Sequence, residues 1–308
     1  MELEGKRIVV TGGAGFIGSH LVERLVADND VVVADDCSGG NREWVHDEAS
    51  VVEGDLTDPA VVEDAVTPET DLVVHLAASK LVDTDAPRRQ FEDNSTITFN
   101  LLDRMDEAGV ENVVFTSSST VYGEAPRPTP EDYAPLEPIS VYGATKLAEE
   151  SLISTYAHSH DLQSWVFRFA NIVGPRLRGA VIPDFVEKLR ENPESLTILG
   201  DGRQQKSYMH VTECIEAMEY AVTHADADHN VFNLGTRTTT SVDRIADIVA
   251  DEMALDPEYE YTGGDRGWTG DVPRMRLSVD KLAALGWEPD QSSDDAVRQS
   301  VQELLAEL

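Results

Sequence analysis

The chain has 308 residues, 41% of them apolar, with 58 acidic residues against 24 basic ones and a formal net charge of −34. That length and apolar share allow one large α/β domain or two modest ones; no apolar run approaches the roughly 20 residues of a membrane helix, and the opening MELEGKRIVV lacks the basic-then-apolar layout of a signal peptide. A scattered acidic excess excludes the basic footprint of a nucleic-acid binder, and Cys37 and Cys214, far apart, form neither a metal pattern nor a disulfide framework, so no metal is expected and a reducing cytoplasm is.

In chain order, the first expected strand, Arg7–Val10, runs into Thr11-Gly12-Gly13-Ala14-Gly15-Phe16-Ile17-Gly18, and a helix pattern follows over Phe16–Ala27. The spacing is GxxGxxG, not the tighter GxGxxG. Glycine is needed there for a tight turn, for close backbone approach to a pyrophosphate, and for helix–strand packing, and the helix N-terminus offers free N–H groups to phosphates. Gly12, Gly15, Phe16, Ile17 and Gly18 are therefore expected to hold a dinucleotide. The second strand, Val31–Ala34, leads into Asp35, 17 residues after Gly18. A carboxylate there accepts both ribose hydroxyl protons and repels a 2′-phosphate, which points to NAD over NADP; the plainer alternative is that Asp35 or Asp36 joins the acidic surface. A third strand, Val51–Val52, ends at Asp55-Leu56, expected to meet the adenine, before a helix over Pro59–Val66. The fourth strand, Leu72–Leu76, leads into Ala77-Ala78, small residues where the cofactor must pass; His75 reads as a structural histidine rather than a catalyst.

Helix Phe91–Ala108 precedes a fifth strand, Val113–Phe115, which continues into Thr116-Ser117-Ser118-Ser119-Thr120-Val121-Tyr122-Gly123. Helix Val141–His158 then carries Tyr142 and Lys146, at i and i+4 and so on one face, and a sixth strand covers Trp165–Phe169. Strand–helix alternation of this kind implies a parallel sheet. Removing a hydroxyl proton while hydride leaves the same carbon needs a base, and free tyrosine, with a pKa of about 10, is too weak. A nearby ammonium and a positive nicotinamide both favour phenolate. Tyr142 is thus the expected base, Lys146 its partner, and Ser118 a hydroxyl sharing the hydrogen bond to the substrate oxygen. After Gly174 the rhythm changes: Pro175, Pro183 and Pro193 punctuate shorter elements, with helices at Ile182–Arg190, Thr212–Val222, Val242–Glu252, Asp280–Leu285 and Asp294–Leu305. Thr240 and Ser241 are good N-cap residues for the third of these, with Asp243 placed for a capping box. The expected architecture is an α/β Rossmann doubly wound parallel sheet over 1–174 with a smaller C-terminal α+β substrate-binding domain over 175–308, some strands returning to the sheet.

The segments TGGAGFIGSH, ADDCSGGNR, GDLTD, HLAA, FTSSSTVYGE, VYGATK, RFANIVGPR and GDVPRM…LGWEP together resemble an extended short-chain dehydrogenase/reductase of the UDP-glucose 4-epimerase family, over essentially the whole length. The resemblance implies Ser118 as catalytic hydroxyl, Tyr142 as base and Lys146 as its partner, all beside bound NAD. It implies Asn94 as the buried asparagine supporting the catalytic helix, Asn171 as a contact to the substrate pyrophosphate, and Val181-Ile182-Pro183 with Phe185 as the segment packing the nucleotide base. It also implies a homodimer, through helices Phe91–Ala108 and Val141–His158. Two departures stand out. Lys206-Ser207 replaces the family's Arg-Asp before the strand at Tyr208, so a phosphate there meets a point charge without a bidentate fork. Trp268 stands where many members carry a second arginine, with Arg266 and Arg274 nearby as substitutes.

Relatives of this kind also dehydrate, decarboxylate or reduce nucleotide sugars. The 4,6-dehydratases need an acid–base carboxylate pair beside the catalytic hydroxyl, and Ser118-Ser119-Thr120-Val121 contains none. The reading is therefore C4 epimerisation of a nucleotide sugar, a UDP-galactose/UDP-glucose pair by default; by the resemblance Met275 lies near where the family gates sugar size, and its middling size leaves N-acetyl and uronic sugars open. A reductase or dehydratase is the enzymatic alternative, and an NAD-sensing protein, which typically loses the Tyr–Lys pair, is the remote one. Abundant acid with scarce lysine also resembles proteins from salt-saturated cytoplasm, where a Debye length of roughly 3 Å at 1 M salt screens self-repulsion. Melting followed by circular dichroism across a KCl series should show the midpoint rising from low to molar salt; an unchanged midpoint sinks the halophilic expectation.

Overall fold

Strands buried on both faces read as continuous apolar runs, and the runs at Ile8–Val10, Val31–Ala34 and Leu72–Val74 are buried throughout. The computed structural model describes residues 1–79, 86–267 and 270–307. In it β1 (Arg7–Thr11), β2 (Asp30–Asp35), β3 (Ser50–Glu53), β4 (Leu72–His75), β5 (Asn112–Ser118) and β6 (Gln163–Phe169) alternate with α1 (Phe16–Leu25), α2 (Pro59–Ala65), α3 (Pro87–Ala108) and α4 (Val141–Ser159). The later strands are β7 (Asn171–Val173), β8 (Ser195–Ile198), β9 (Gln205–Lys206), β10 (Tyr208–His210), β11 (His229–Leu234), β12 (Thr240–Ser241), β13 (Glu258–Tyr261) and β14 (Arg274–Met275). The later helices are α5 (Val181–Glu191), α6 (Val211–His224), α7 (Val242–Met253), α8 (Asp280–Leu285) and α9 (Ser293–Glu307). The main sheet is parallel and seven-stranded, in the order β11-β6-β5-β4-β1-β2-β3, which is the doubly wound Rossmann order with one added strand. Val9, Val32, Val73 and Phe115 of the sheet pack with Leu101, Leu102 and Met105 of α3 and Ile153 of α4 in one core.

Two compact units divide the chain. The first comprises Met1–Val121, Val141–Arg168 and Met218–Phe232; the second comprises Tyr122–Ser140, Phe169–Ala217 and Asn233–Leu308. This differs from a single break after Gly174. Residues 122–140, before α4, belong with the C-terminal unit, and residues 218–232 return to the sheet's unit with most of β11. The second unit is α+β: β7 pairs with β10, β9 lies between β12 and β14, and β8 pairs with β13, while α9 packs on α7 and β10. Most of these strands have two to four residues, too few to carry a period-2 pattern. Ser241 caps α7 by accepting from the N–H of Arg244 at 3.1 Å, but the reciprocal half of a capping box is missing. The position facing back to the cap is Arg244, not Asp243, so one carboxylate too early in the turn defeats that expectation.

One buried ionic cluster ties α4 to the sheet. Arg168 of β6 makes a forked contact to Glu150, Nη2 to Oε2 at 2.7 Å and Nε to Oε1 at 3.0 Å, and Ser117 of β5 donates to the same Oε1. Such a pair gives little net stability over an apolar substitute, but removing one partner strands the other charge. Glu150→Ala should lower unfolding free energy by about 3–5 kcal/mol, read as a lower urea midpoint; a loss within ±0.5 kcal/mol, the range of ordinary surface changes, contradicts the assignment.

Candidate functional site

The glycine loop is shaped by contacts that no side chain survives. Gly12 has φ +71°, and a Cβ on it would lie 2.7 Å from the backbone N of Ala77; one on Gly18 would lie 2.1 Å from the carbonyl oxygen of Gly12. The first turn of the helix thus sits directly on the loop. Gly15 caps α1 without a side-chain hydrogen bond, so the helix's first N–H groups are left to a ligand. Gly12, Gly15 and Ile17 keep partial solvent access, whereas Gly18 and Phe16 are buried, Phe16 edge-on to His20. Asp35 ends β2 nearly buried and braces the loop: its carboxylate accepts from the N–H of Ala14 at 2.9 Å and of Cys37 at 2.7 Å. Burial pushes its carboxyl above the ordinary value, against the pull of those two N–H groups. Each carboxylate oxygen still has a lone pair for a further donor.

The flanking expectations divide. Asp55 is exposed and accepts from the N–H of Thr57 at 2.9 Å, while Leu56 is buried in the core of the first unit. Ala77 is half-buried, and its N–H donates to the hydroxyl of Thr11 at 3.2 Å. Asn94, buried on α3, clamps Ser79 from both sides, accepting from its N–H at 2.8 Å and donating to its carbonyl at 3.0 Å. It fixes the chain leaving β4.

β5 ends at Ser118, whose hydroxyl oxygen accepts from the N–H of Thr120 at 3.2 Å and from its hydroxyl at 3.0 Å. Both bonds use lone pairs, so the Ser118 proton remains to be donated. Tyr142 and Lys146 lie on α4, which packs on β5, and the Lys146 ammonium sits 4.6 Å from the centroid of the Phe115 ring. Lys146 is 2% exposed and pairs at 3.3 Å with Glu149, which is 0% exposed. Among the described residues, the ammonium makes no hydrogen bond of good geometry. A buried donor without an acceptor is costly, and an acceptor supplied by bound NAD fits it, as the side-chain-free cradle at Gly12 fits a dinucleotide backbone. Sequence reasoning expected Lys146 and the positive nicotinamide together to lower the Tyr142 pKa. In the structure desolvation pushes that phenol up and outweighs Lys146, and Glu149 adds to the rise. His75 is held neutral: burial, helped by Lys146, depresses its pKa to about 3, and both ring nitrogens are bonded, to Thr11 and Thr98.

In the second unit Asn171 opens β7 and donates to the carbonyl of Ser207 at 3.2 Å. Val181 is half-buried at the start of α5, while Ile182 and Phe185 are core. Lys206 is bound at 2.6 Å to the buried carboxylate of Asp271; neutralising that acid, which also accepts from the N–H of Gly267 at 3.0 Å, is its observed role. Arg266 donates to the Asp271 carbonyl at 2.6 Å and to Glu124. Arg274 is exposed beside β9, in register with Gln205, and its guanidinium has no partner among the described residues. Of the three basic candidates, Arg274 alone is uncommitted. Trp268 lies outside the described residues. Sequence reasoning missed Asp271, Thr98 and Glu149; only Glu149, three residues after Lys146 and so on its face of a helix, had a readable signal.

Asp35→Ala should weaken NAD binding and narrow the preference for NAD over NADP, because it removes both the ribose acceptor and the brace on Ala14. Isothermal titration with each cofactor checks this, and wild-type protein binding NADP as tightly as NAD would show that Asp35 does not discriminate.

Residues 8–235 match the model of the NAD dependent epimerase/dehydratase family. The UDP-glucose 4-epimerase of Mycolicibacterium smegmatis is 33% identical over 311 residues, covering 96% of this chain and 97% of that protein. A crystal structure of a UDP-galactose 4-epimerase superposes with a TM-score of 0.90 at 43% identity, over 98% of this chain and 99% of the other. A dTDP-glucose 4,6-dehydratase of Streptomyces venezuelae, solved with NAD bound, superposes with a TM-score of 0.86 at 27% identity, over 96% of each chain. With a seven-stranded Rossmann sheet, a glycine loop braced by Asp35 and a Tyr–Lys pair on the helix behind a serine-ended strand, the chain belongs to the NAD-dependent epimerase/dehydratase family of extended short-chain dehydrogenases/reductases.

Proposed function

We propose that this enzyme inverts C4 of a nucleotide sugar, with a UDP-glucose/UDP-galactose pair as substrate and product. The observation that carries the reading is the surroundings of Ser118. The group folded back onto its oxygen is the Thr120 hydroxyl, where a dehydratase needs carboxylates to move a further proton and expel water. A 4-keto sugar formed here meets no such acid–base pair on the Ser118–Val121 segment, so it returns by reduction.

NAD, held by the Gly12–Gly18 loop and Asp35, would supply a reversible hydride acceptor for C4. Tyr142, as phenolate, takes the C4 hydroxyl proton, and Lys146 favours the phenolate through its charge. Ser118 hydrogen-bonds through its unused proton to the same oxygen, keeping that proton, while the oxygen becomes a carbonyl. On the return, Tyr142 hands its proton back. Inversion requires the hydride to reach the opposite face of C4, so the sugar must turn while the nucleotide stays held. Asn171, Val181 and Arg274 are proposed for that grip, with Lys206 and Arg266 acting through Asp271. A homodimer through α3 and α4 is supported by Phe91 and Phe99, 40% and 45% exposed on α3. A cytoplasmic location and adaptation to salt remain part of the same reading. No helix among the described residues is long and apolar enough to cross a membrane.

A 4-deuterated UDP-hexose tests the proposal. Epimerisation should leave deuterium at C4 of the product, with no exchange into water and no net use of NAD. Tyr142→Phe should reduce turnover by roughly 10²–10⁴-fold while NAD binding persists. Build-up of reduced cofactor with a stable keto product would identify a dehydrogenase instead, and a 4-keto-6-deoxy product a dehydratase.

A further inference from the structure

The buried pair at the foot of the catalytic helix ends a longer polar chain. Glu149 Oε2 faces the Lys146 ammonium at 3.3 Å, and Glu149 Oε1 accepts from the Thr98 hydroxyl of α3 at 2.8 Å. Thr98 Oγ1 lies 3.1 Å from Nε2 of His75, and Nδ1 of His75 lies 2.8 Å from the hydroxyl of Thr11. The N–H of Ala77 donates to that hydroxyl. With Glu149 ionised by its pairing to Lys146, the direction of every bond follows. Thr98 gives its one proton to the carboxylate, so its oxygen must accept from His75, which fixes the proton on Nε2. Nδ1 is then an acceptor, filled by Thr11, whose oxygen accepts from Ala77. This run of bonds holds with a neutral imidazole and with Glu149 ionised, where Lys146 and Thr98 counter the upward push that burial gives its carboxyl.

We infer that Glu149 is a positioning residue for catalysis: it holds the Lys146 ammonium in place on α4 and offsets part of its charge as felt by Tyr142. The inference rests on Tyr142 being the base. The groups around Glu149 are Lys146, Tyr142 and Glu150 on α4, neutral His75 on β4 and uncharged Thr98 on α3. Glu150 is turned to Arg168 and Ser117, which leaves Glu149 as the carboxylate paired with Lys146. A lysine with no such partner would pull Tyr142 further toward phenolate, against the desolvation that holds the phenol up. With the carboxylate present part of that pull is cancelled, and Glu149 adds to burial in keeping the phenol protonated. The pull of Glu149 on the Tyr142 phenol has the sign this requires.

The test reads Tyr142 directly. Tyrosinate absorbance is titrated on NAD-saturated protein without sugar, and the curve of Tyr142→Phe is subtracted to remove the other tyrosines. Glu149→Gln keeps the shape and an acceptor for Thr98 but removes the charge. It should move the Tyr142 transition down by about one pH unit, the scale of a close charge. An unchanged or upward transition overturns the inference. If Glu149→Gln does not fold, Thr98→Val and Thr98→Ser decide. The valine removes the bond that keeps Glu149 ionised and should shift the transition the same way by less, and the serine should restore the wild-type curve. A valine curve that matches wild type overturns the inference equally. Because no sugar is present, these outcomes are independent of the epimerase proposal. Failure of Tyr142→Phe to lose turnover would reject the base assignment and leave the titration result standing.

Discussion

A lysine ammonium with 2% exposure is the constraint around which the first unit is arranged. An unpaired buried charge neutralises itself or unfolds its surroundings, so Lys146 needs an anion, and the anion needs donors of its own. Glu149 supplies the first and Thr98 the second. Thr98 in turn requires the tautomer of His75 that faces Thr11, at the end of β1, where the glycine loop begins. Helix α4, helix α3, strand β4 and strand β1 are therefore joined by one oriented line of hydrogen bonds.

Two adjacent glutamates serve two different networks. Consecutive helical residues point about 100° apart, so Glu149 turns to Lys146 and Thr98 while Glu150 turns to Arg168 and Ser117. The second network anchors α4 to β5 and β6, and β5 ends in Ser118. The distance of the catalytic helix from the serine-bearing strand is thus held by a forked arginine, whose planar geometry tolerates little sliding, and by the Phe115 ring beneath Lys146. Placement and charge are handled by different carboxylates.

Basic residues are scarce, at 24 against 58 acids, and several are engaged internally: Lys146, Arg168, Lys206 and Arg266 all face carboxylates. In the second unit Asp271 gathers Lys206, Arg266 and the N–H of Gly267. The lysine standing where the family shows arginine is in this way a partner for a buried acid, and Arg274 is the basic candidate with its guanidinium uncommitted.

The strand–helix rhythm, the glycine loop, Asp35, Ser118 and the Tyr142–Lys146 spacing were legible in the sequence because each depends on local spacing: period, turn chemistry and helical face. The two- to four-residue strands of the second unit were not, since they are defined by partners far along the chain. The capping box on α7 failed by one position, which composition alone does not distinguish. What only the tertiary structure decided was the ionic partnering. Lys206 with Asp271, Glu149 with Lys146 and Thr98, and Glu150 with Arg168 are choices among many acids made by burial, and burial also raises the Tyr142 phenol against the downward pull of Lys146. Local spacing places a side chain on a face, but the cost of desolvation, set by the whole surrounding fold, determines its charge and its partner.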